Sequence, residues 1–389
     1  MNKLKVSFVF LILLGFHCDL ISQTDMNPRE IRQIMQRIPD SLTFTTNNLA
    51  NYIENNFYNE EDITGAIYYW IAENIFYDIE KRYDYRDYDF ANVDLENILK
   101  SRLAICQGYS ALYADLANKF DIKSYVVKGY TNKSGRVELN PHAWCATFID
   151  SVWYLVEPTW GAGYWVDETF IKKVDFQYFK VKPKLFVKSH IPFDPMWQLL
   201  EYPISKKEFN WKMSNFESER KPLDYLACIA QYEKQSKIER MVSEIYRIES
   251  NGINNYLDYD NLYHKKFNIK YYYILQAEEK YNTAVGYFND GIYKFNEFIE
   301  YKNNKFLPYK KDIEIRAMIE EIENLFNLSL EQLNKVENEN EILENSLNQL
   351  KTNIYQAQAD IIIQKERLNS YFETFKVYRE NLAHPDSIE

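Results

Sequence analysis

Glycine and proline are scarce in this chain, with 10 Gly and 11 Pro among 389 residues. So low a content excludes collagen-like, low-complexity and long flexible-linker proteins. The sequence also lacks the glycine-rich patterns of dinucleotide-binding and P-loop proteins. A phosphate-binding loop of either kind is therefore not expected.

Basic residues are in the minority, with 46 Lys and Arg against 57 Asp and Glu and a net charge of −11. A negative surface repels phosphate backbones, so nucleic-acid binding would need a local cluster of Lys and Arg. The sequence shows no such cluster, and we expect no nucleic-acid partner. Aromatic residues are abundant by contrast, with 33 Tyr and 24 Phe.

Long hydrophobic runs are also missing. The longest, Val6 to Phe16, has eleven residues, whereas a membrane-spanning helix takes ~20. Because Lys3 and Lys5 precede this run and a polar stretch follows it, residues 1–23 predict an export signal. An uncleaved anchor and a buried N-terminal helix are the alternatives. We accordingly expect a periplasmic, cell-surface or secreted protein with no transmembrane segment after signal removal.

Cysteines are few as well. Of the four in the chain, removal of residues 1–23 would leave Cys106, Cys145 and Cys228. Three cysteines cannot all pair within one chain. At least one free thiol is therefore expected in the exported protein.

Hydrophobic periodicity predicts an α+β first half and a helical second half. Period-2 alternation indicates strands, and a two-residue turn, Asp150-Ser151, joins the last two of them. The prolines of residues 161–211 indicate irregular chain. Helical spacing covers 26–60, 63–76, two stretches of 95–119, 222–250 and a helix pair in 270–302, and the strands are 123–131, 142–149 and 152–156.

A heptad pattern marks the end of the chain. Steps of four and three from Ile315 to Leu382 meet twenty residues, of which seventeen are apolar. Such a pattern predicts a coiled coil or a long packed helix. Two arrangements would bury the seam: a continuous rod that self-associates through residues 315–382, or a hairpin that turns near residues 338–340.

Cys106 is predicted at the first turn of a buried helix, because apolar residues recur at helical spacing after it. A helix N-terminus carries partial positive charge and unpaired N–H groups. Both features favour a thiolate and can bind an oxyanion. Cys106 is therefore a candidate nucleophile.

His142 and Glu157 are predicted to be neighbours across a hairpin. If Asp150-Ser151 is a two-residue turn, His142 faces Thr159 and lies diagonally from Glu157 on one face of the sheet. The carboxylate could then orient the imidazole, giving a nucleophile, a base and an orienting group: Cys106, His142 and Glu157. Taken singly, each is more often a structural cysteine, a core histidine or a turn glutamate.

The same residues carry a resemblance to a known family. The stretches CQGYSALYADL (106–116) and NPHAWCATFIDSVWYLVEPTWGAGY (140–164) resemble the transglutaminase-like cysteine enzyme superfamily. WIAENIFYD (70–78) and HIPFDPMWQLLEYPIS (190–205) are similar to its branch named for the kyphoscoliosis peptidase and the cytokinesis proteins. The resemblance implies a papain-like core in which a helix bearing the Cys packs on an antiparallel sheet bearing the His. It also implies a Cys-His-Asp triad and acyl-enzyme chemistry on amides, without metal or organic cofactor.

One position departs from the family pattern, because Glu157 stands where the family has Asp. The extra methylene moves the carboxylate by ~1.5 Å, and a misplacement of about 1 Å can cost about 100-fold in rate. Some members of this branch are thought to be binding modules, which keeps an inactive protein open as an alternative.

The expected protein is an exported thiol hydrolase, a peptidase or amidase that acts on protein or peptide substrates. Amine transfer in place of hydrolysis remains open, and a non-catalytic binding scaffold is the alternative. Trp144, Trp160 and Tyr109 are weaker candidates for substrate contacts. The other histidines, at 17, 190, 264 and 384, show no metal-ligand spacing. The expected domains are the signal (1–23), a helical segment (24–60), the transglutaminase-like domain (61–210), a helical domain (211–308) and a long helix or coiled-coil hairpin (309–384).

Overall fold

The computed structural model of this chain describes residues 26–83, 93–133, 135–138, 140–166, 169–211, 220–336 and 341–375. The predicted export signal and the proposed turn at 338–340 lie outside these residues. The described chain forms two compact units. The first holds residues up to Gln235 and Tyr246–Tyr259, and the second holds Ser236–Ile245 and residues from Asp260 onward.

Helices surround an antiparallel sheet in the first unit. Its helices are α1 (Pro28–Met35), α2 (Thr46–Glu54), α3 (Glu60–Asn74), α4 (Leu95–Ser101), α5 (Cys106–Asn118), α6 (Pro158–Ala162), α7 (Pro183–Phe186), α8 (Lys206–Trp211) and α9 (Tyr225–Lys234). Its strands are β1 (Phe76–Tyr77), β2 (Leu103–Ala104), β3 (Ser124–Lys133), β4 (Arg136–Val137), β5 (His142–Ile149), β6 (Val152–Val156), β7 (Gly163–Val166), β8 (Thr169–Lys172) and β9 (His190–Pro192). The predicted α+β class is confirmed.

The central sheet has the strand order β4-β3-β5-β6, and β9 also pairs with β3. In β5–β6, Ile149 pairs with Val152 and Cys145 with Val156, so the predicted two-residue turn and register are confirmed. Asp150 and Ser151 both have positive φ, at 49° and 67°, as a type I′ hairpin turn requires.

The core of the first unit lies between α3, α5 and the sheet. Trp70, Leu112 and Leu116 are fully buried there, and Cys145 contributes from the sheet. Ile31, Leu49 and Ile53 of α1 and α2 join the same cluster. The predicted helical segment 24–60 therefore packs as part of this core.

The remaining helices are long. They are α10 (Lys237–Asn251), α11 (Tyr256–Asn303), α12 (Asp312–Asn334) and α13 (Glu341–Thr374). The predicted helix pair at 270–302 is wrong, because α11 runs through it without a turn. The apolar residues of α11 pack into the core of the second unit, where Ala284 and Phe298 are fully buried.

The heptad residues form most of that second core. A continuous helix through residues 315–382 is wrong, because α12 ends at Asn334 and α13 begins at Glu341. The two helices pack on each other, as the hairpin alternative requires. The buried seam residues are Ile315, Ile319, Ile322, Phe326, Ser329, Leu333, Leu347, Leu350, Ile354, Ala357, Ile361 and Leu368.

The seam predicted for self-association is thus occupied within the chain. Ala284 and Phe298, which precede the predicted 308/309 boundary, share the core with Ile315 and Ile354, which follow it. None of the helices in the described part of the chain combines the length and the hydropathy of a membrane span.

Candidate active site

Cys106 is the first residue of α5, where its sequence pattern placed it. The preceding residue, Ile105, is extended and has no side chain that could cap the helix. The first N–H groups of a helix have no partner within the helix itself. Cys106 is partly exposed, unlike the fully buried Cys145.

His142 begins β5 and connects the thiol to a carboxylate. Its Nε2 lies 2.7 Å from Oε2 of Glu157, which leaves Nδ1 available to the Cys106 thiol. Burial opposes charge on the ring, but Glu157 and Cys106 raise the pKa of His142 to about 10 through charge and hydrogen bonds. These neighbours favour the cationic form of the ring.

Glu157 lies between the end of β6 and the start of α6, and it is fully buried. Its Oε1 caps α6 by accepting hydrogen bonds from the backbone N–H groups of Thr159 and Trp160, at 2.9 and 3.2 Å. Burial alone would raise the pKa of Glu157, but His142 and, more weakly, His190 hold that pKa well below the usual range of a carboxyl. An ionised carboxylate with both oxygens engaged is the result.

The added methylene of Glu157 does not prevent contact with His142. The capping bonds fix Oε1 on α6 and direct Oε2 at the ring. The predicted neighbours are thus in direct contact, although the ladder of β5 and β6 ends at Cys145 and Val156. Glu157 reaches His142 from the cap of a helix rather than from a paired strand position.

His190 is a site residue that the sequence reasoning missed. It lies on β9 opposite Thr131 of β3, and its Nε2 is 3.4 Å from Oε2 of Glu157. Histidine spacing gave no sign of it, because β9 reaches the site through pairing with a strand some sixty residues earlier. The one sequence signal was its place in the HIPF stretch that resembles the family.

Three of these groups could in principle hold a metal ion. Among the described residues, the ligand atoms of His142, Glu157 and His190 lie within 4.8 Å of one another. However, the 2.7 Å contact of His142 with Glu157 is a hydrogen-bond distance. Both oxygens of Glu157 already accept hydrogen bonds, so the arrangement fits a hydrogen-bonded relay better than a metal centre.

The weaker candidates for substrate contacts divide into two groups. Trp144 and Tyr109 are fully buried, and the Tyr109 hydroxyl donates to the backbone oxygen of Ile75. Neither can touch a substrate in this conformation, so both are core residues. Trp160 differs, because it is only partly buried and its ring lies 5.9 Å from that of His142.

A cavity of about 300 Å³ opens beside His142 and Trp160. Its wall is largely aromatic and carries charges of both signs. Those aromatic residues are Tyr77, Tyr164, Trp165, Phe170 and Tyr178, and the charged ones are Lys133, Glu138, Lys173 and Asp175. The cavity thus borders the imidazole of His142.

The other two described cysteines lie in different surroundings. Burial raises the pKa of the Cys145 thiol well above its ordinary value. Burial also raises the pKa of Cys228, although nearby Arg247 acts in the opposite direction. Cys106 alone among the three is beside a cationic histidine at a helix N-terminus.

Comparison with known proteins gives a consistent family assignment. The family model described as "Transglutaminase-like superfamily" matches residues 47–158. The kyphoscoliosis peptidases of Mus musculus and Homo sapiens are each 32% identical over 159 residues, 38% of this chain. Hillarin of Drosophila melanogaster is 25% identical over 122 residues, which is 26% of this chain and 15% of hillarin.

The matches cover limited parts of the proteins compared. The chain spans 23% of the length of the kyphoscoliosis peptidases. A solved structure described as a TGase aligns over 41% of this chain and 40% of its own length, at 21% identity and a TM-score of 0.26. On the family match and the sequence relatives, the chain contains a domain of the transglutaminase-like superfamily.

Proposed function

We propose that this protein is a thiol hydrolase that cleaves amides of protein or peptide substrates through an acyl-enzyme on Cys106. The observation that carries the proposal is the 2.7 Å contact between His142 and the buried carboxylate of Glu157, beside a thiol at a helix N-terminus. The name of the kyphoscoliosis peptidases, similar over 38% of this chain, supports amide cleavage.

The chemistry follows from the order of the groups. The Cys106 thiolate attacks the amide carbonyl carbon, and N–H groups at the start of α5 stabilise the oxyanion that forms. His142, cationic and held by Glu157, gives its proton to the departing amine. The same ring then takes a proton from water, which attacks the thioester and releases the acid and free Cys106.

Hydrolysis is preferred over amine transfer because water is always present as an acceptor. The experiment is to incubate the full chain with a library of peptide amides in water labelled with heavy oxygen, with and without an added primary amine. Mass spectrometry should find products with one heavy oxygen in the new carboxyl group, and Cys106→Ala should abolish them.

Three results would count against this proposal. A product joined to the added amine would replace hydrolysis with acyl transfer at the same site. An activity unaffected by Cys106→Ala would reject Cys106 as the nucleophile. Peptide binding without any turnover would favour the binding scaffold.

A further inference from the structure

His190 is enclosed by aromatic rings behind Glu157. Its own ring stacks on Phe186, with centroids 4.1 Å apart, and lies 4.4 Å from the ring of Trp160. Trp144 meets it edge-on at 5.2 Å. With 1% of its surface exposed, His190 cannot reach a substrate and can act only through its neighbours.

The two ring nitrogens of His190 face different partners. Nδ1 lies 2.8 Å from Oγ of Ser189. Nε2 lies 3.4 Å from Oε2 of Glu157 and makes no hydrogen bond in this conformation. Because an ionised carboxylate only accepts hydrogen bonds, Nε2 can interact favourably with it only as an N–H group. Ser189, whose hydroxyl can donate, then satisfies Nδ1.

The surroundings favour a neutral ring. Burial lowers the pKa of His190, and the cationic His142 lowers it further, although Glu157 acts in the opposite direction. His142 is thus the charged partner of Glu157, and His190 is the neutral one.

We propose that His190 is a positioning residue: a neutral imidazole whose Nε2–H fixes the Oε2 oxygen with which Glu157 orients His142. The proposal rests on the proposed function, because it concerns the same site. It gives His190 a role in catalysis although this residue touches neither the substrate nor Cys106.

The longer side chain of Glu157 explains why such a residue is needed. Glutamate has one more rotatable bond than aspartate, so more freedom must be lost to hold its carboxylate in one place. The N–H groups of Thr159 and Trp160 hold Oε1, but Oε2 is the oxygen that His142 uses. His190 is placed to limit rotation of that oxygen away from the ring.

The experiment compares two substitutions of His190 in the full chain. His190→Phe keeps the aromatic volume and removes the donor, whereas His190→Gln keeps an N–H donor. The readout is the rate of Cys106 alkylation by iodoacetamide between about pH 5 and pH 9, which needs no substrate. His264→Gln serves as the control, because His264 is half exposed on α11 and lies far along the chain from the site.

Loss of the hydrogen-bond partner of a metal-ligating histidine costs about 10–100-fold in activity, and we expect the same scale for the partner of Glu157. We therefore expect His190→Phe to slow alkylation of Cys106 below about pH 7 by that factor. His190→Gln should stay within about threefold of the wild type, since the donor is conserved. Wherever turnover is measurable, the loss should fall on kcat and leave KM unchanged.

Two outcomes would overturn the proposal. One is a folded His190→Phe variant with the pH profile of the wild type, and the other is His190→Gln as damaged as His190→Phe. If His190→Phe does not fold, nitrogen NMR of the wild-type ring decides instead. A neutral ring protonated on Nε2 at about pH 7 is the expected result, and a cationic or Nδ1-protonated ring contradicts it.

The same data separate this proposal from the proposed function. Absence of any amide product would reject the hydrolase and leave the alkylation comparison to decide the role of His190. An active hydrolase with an unaltered His190→Phe profile would reject the positioning role alone.

Discussion

Glu157 engages both carboxylate oxygens, one as the cap of α6 and the other on His142. Aspartate at this position would be shorter by ~1.5 Å, so we expect it to lose one of the two partners. We expect Glu157→Asp to lower the turnover of an amide substrate about 100-fold, the cost of a misplacement near 1 Å. The measurement is kcat/KM on the best peptide found for the wild type.

Glu96→Asp is the matched control for this substitution, because Glu96 is exposed on α4. It should leave kcat/KM unchanged. A Glu157→Asp variant as active as the wild type would mean that the backbone adapts and that the capping bonds do not set the position of Oε2.

His142 makes stability depend on pH in a predictable direction. Its pKa is about 10 in the folded protein against an ordinary value of 6.5. A raised pKa stabilises the folded state fully below about pH 6.5, and this contribution is lost as the pH rises to about 10. Urea denaturation of the wild type and His142→Gln at about pH 6.5 and pH 9.5 measures it.

The free energy of unfolding of the wild type should exceed that of His142→Gln by more at about pH 6.5 than at about pH 9.5. We expect this excess to shrink by more than about 1 kcal/mol, which is less than the free energy that corresponds to one pKa unit. The same difference at both pH values would show that His142 is not held in its charged form.

The sequence predicted Cys106, His142 and Glu157 because each is fixed by local pattern. A helix start places the thiol, and a two-residue turn places His142 near Glu157. His190 could not be found in this way, because its contact depends on the pairing of β9 with β3. The burial of Trp144 and Tyr109 likewise depends on how α5 and the sheet pack, which residue spacing does not specify.

At the scale of elements, β9 can reach the site because Gly129 has no side chain. A Cβ at Gly129 would lie 2.1 Å from the backbone oxygen of Ile191 and 2.5 Å from the Trp144 ring. We expect Gly129→Ala to cost about 1–3 kcal/mol, as overpacking does, and to slow Cys106 alkylation because His190 shifts with β9. Urea denaturation and alkylation rates measure the two effects.

Gly286→Ala is the control, since nothing lies within 4 Å of a Cβ built there. It sits inside α11 and should stabilise the protein by about 0.5–1 kcal/mol through helix propensity. The contrary result is a Gly129→Ala variant whose free energy of unfolding and rate of Cys106 alkylation are as little reduced as those of Gly286→Ala. That result would show that the position of His190 does not depend on the close approach of β9 to β3.

The hairpin of α12 and α13 can be tested by two neighbouring isoleucines. Ile361 is 1% exposed and lies on the heptad seam, whereas Ile362 is 55% exposed. Ile361→Ala should lower the free energy of unfolding by about 2–5 kcal/mol, and Ile362→Ala by less than about 0.5 kcal/mol. Equal effects, read by urea denaturation, would contradict the assigned seam.

Elements that a local sequence pattern determines were predicted correctly. Elements whose length or pairing depends on tertiary packing were not. β5, β6 and their turn follow from alternation over fifteen residues. The heptad pattern identified the buried residues of α12 and α13 but could not choose between rod and hairpin, because both bury the same seam. The continuous α11 was mistaken for two helices, since the spacing of its apolar residues reflects contacts with α12 rather than a turn.

For the whole molecule, the family match covers Cys106, His142 and Glu157 but not His190. The match ends at residue 158, whereas His190 contacts Glu157 from beyond it and the second unit lies outside it altogether. The transglutaminase-like domain therefore needs the segment that follows residue 158 to complete the surroundings of Glu157.

Export through residues 1–23 stays a prediction, which the N-terminal sequence of the mature protein would test.

The distribution of thiols over the molecule allows the central claim to be tested directly. The claim is that Cys106 is activated by His142, whereas Cys145 is buried and Cys228 has no such partner among the described residues. The measurement is the rate of alkylation of each cysteine in one sample at about pH 6, read by peptide mass spectrometry. Activation predicts that Cys106 reacts at least about tenfold faster than Cys228, and that His142→Ala removes the difference. A Cys106 that reacts no faster than Cys228, or whose rate His142→Ala leaves unchanged, would contradict the account.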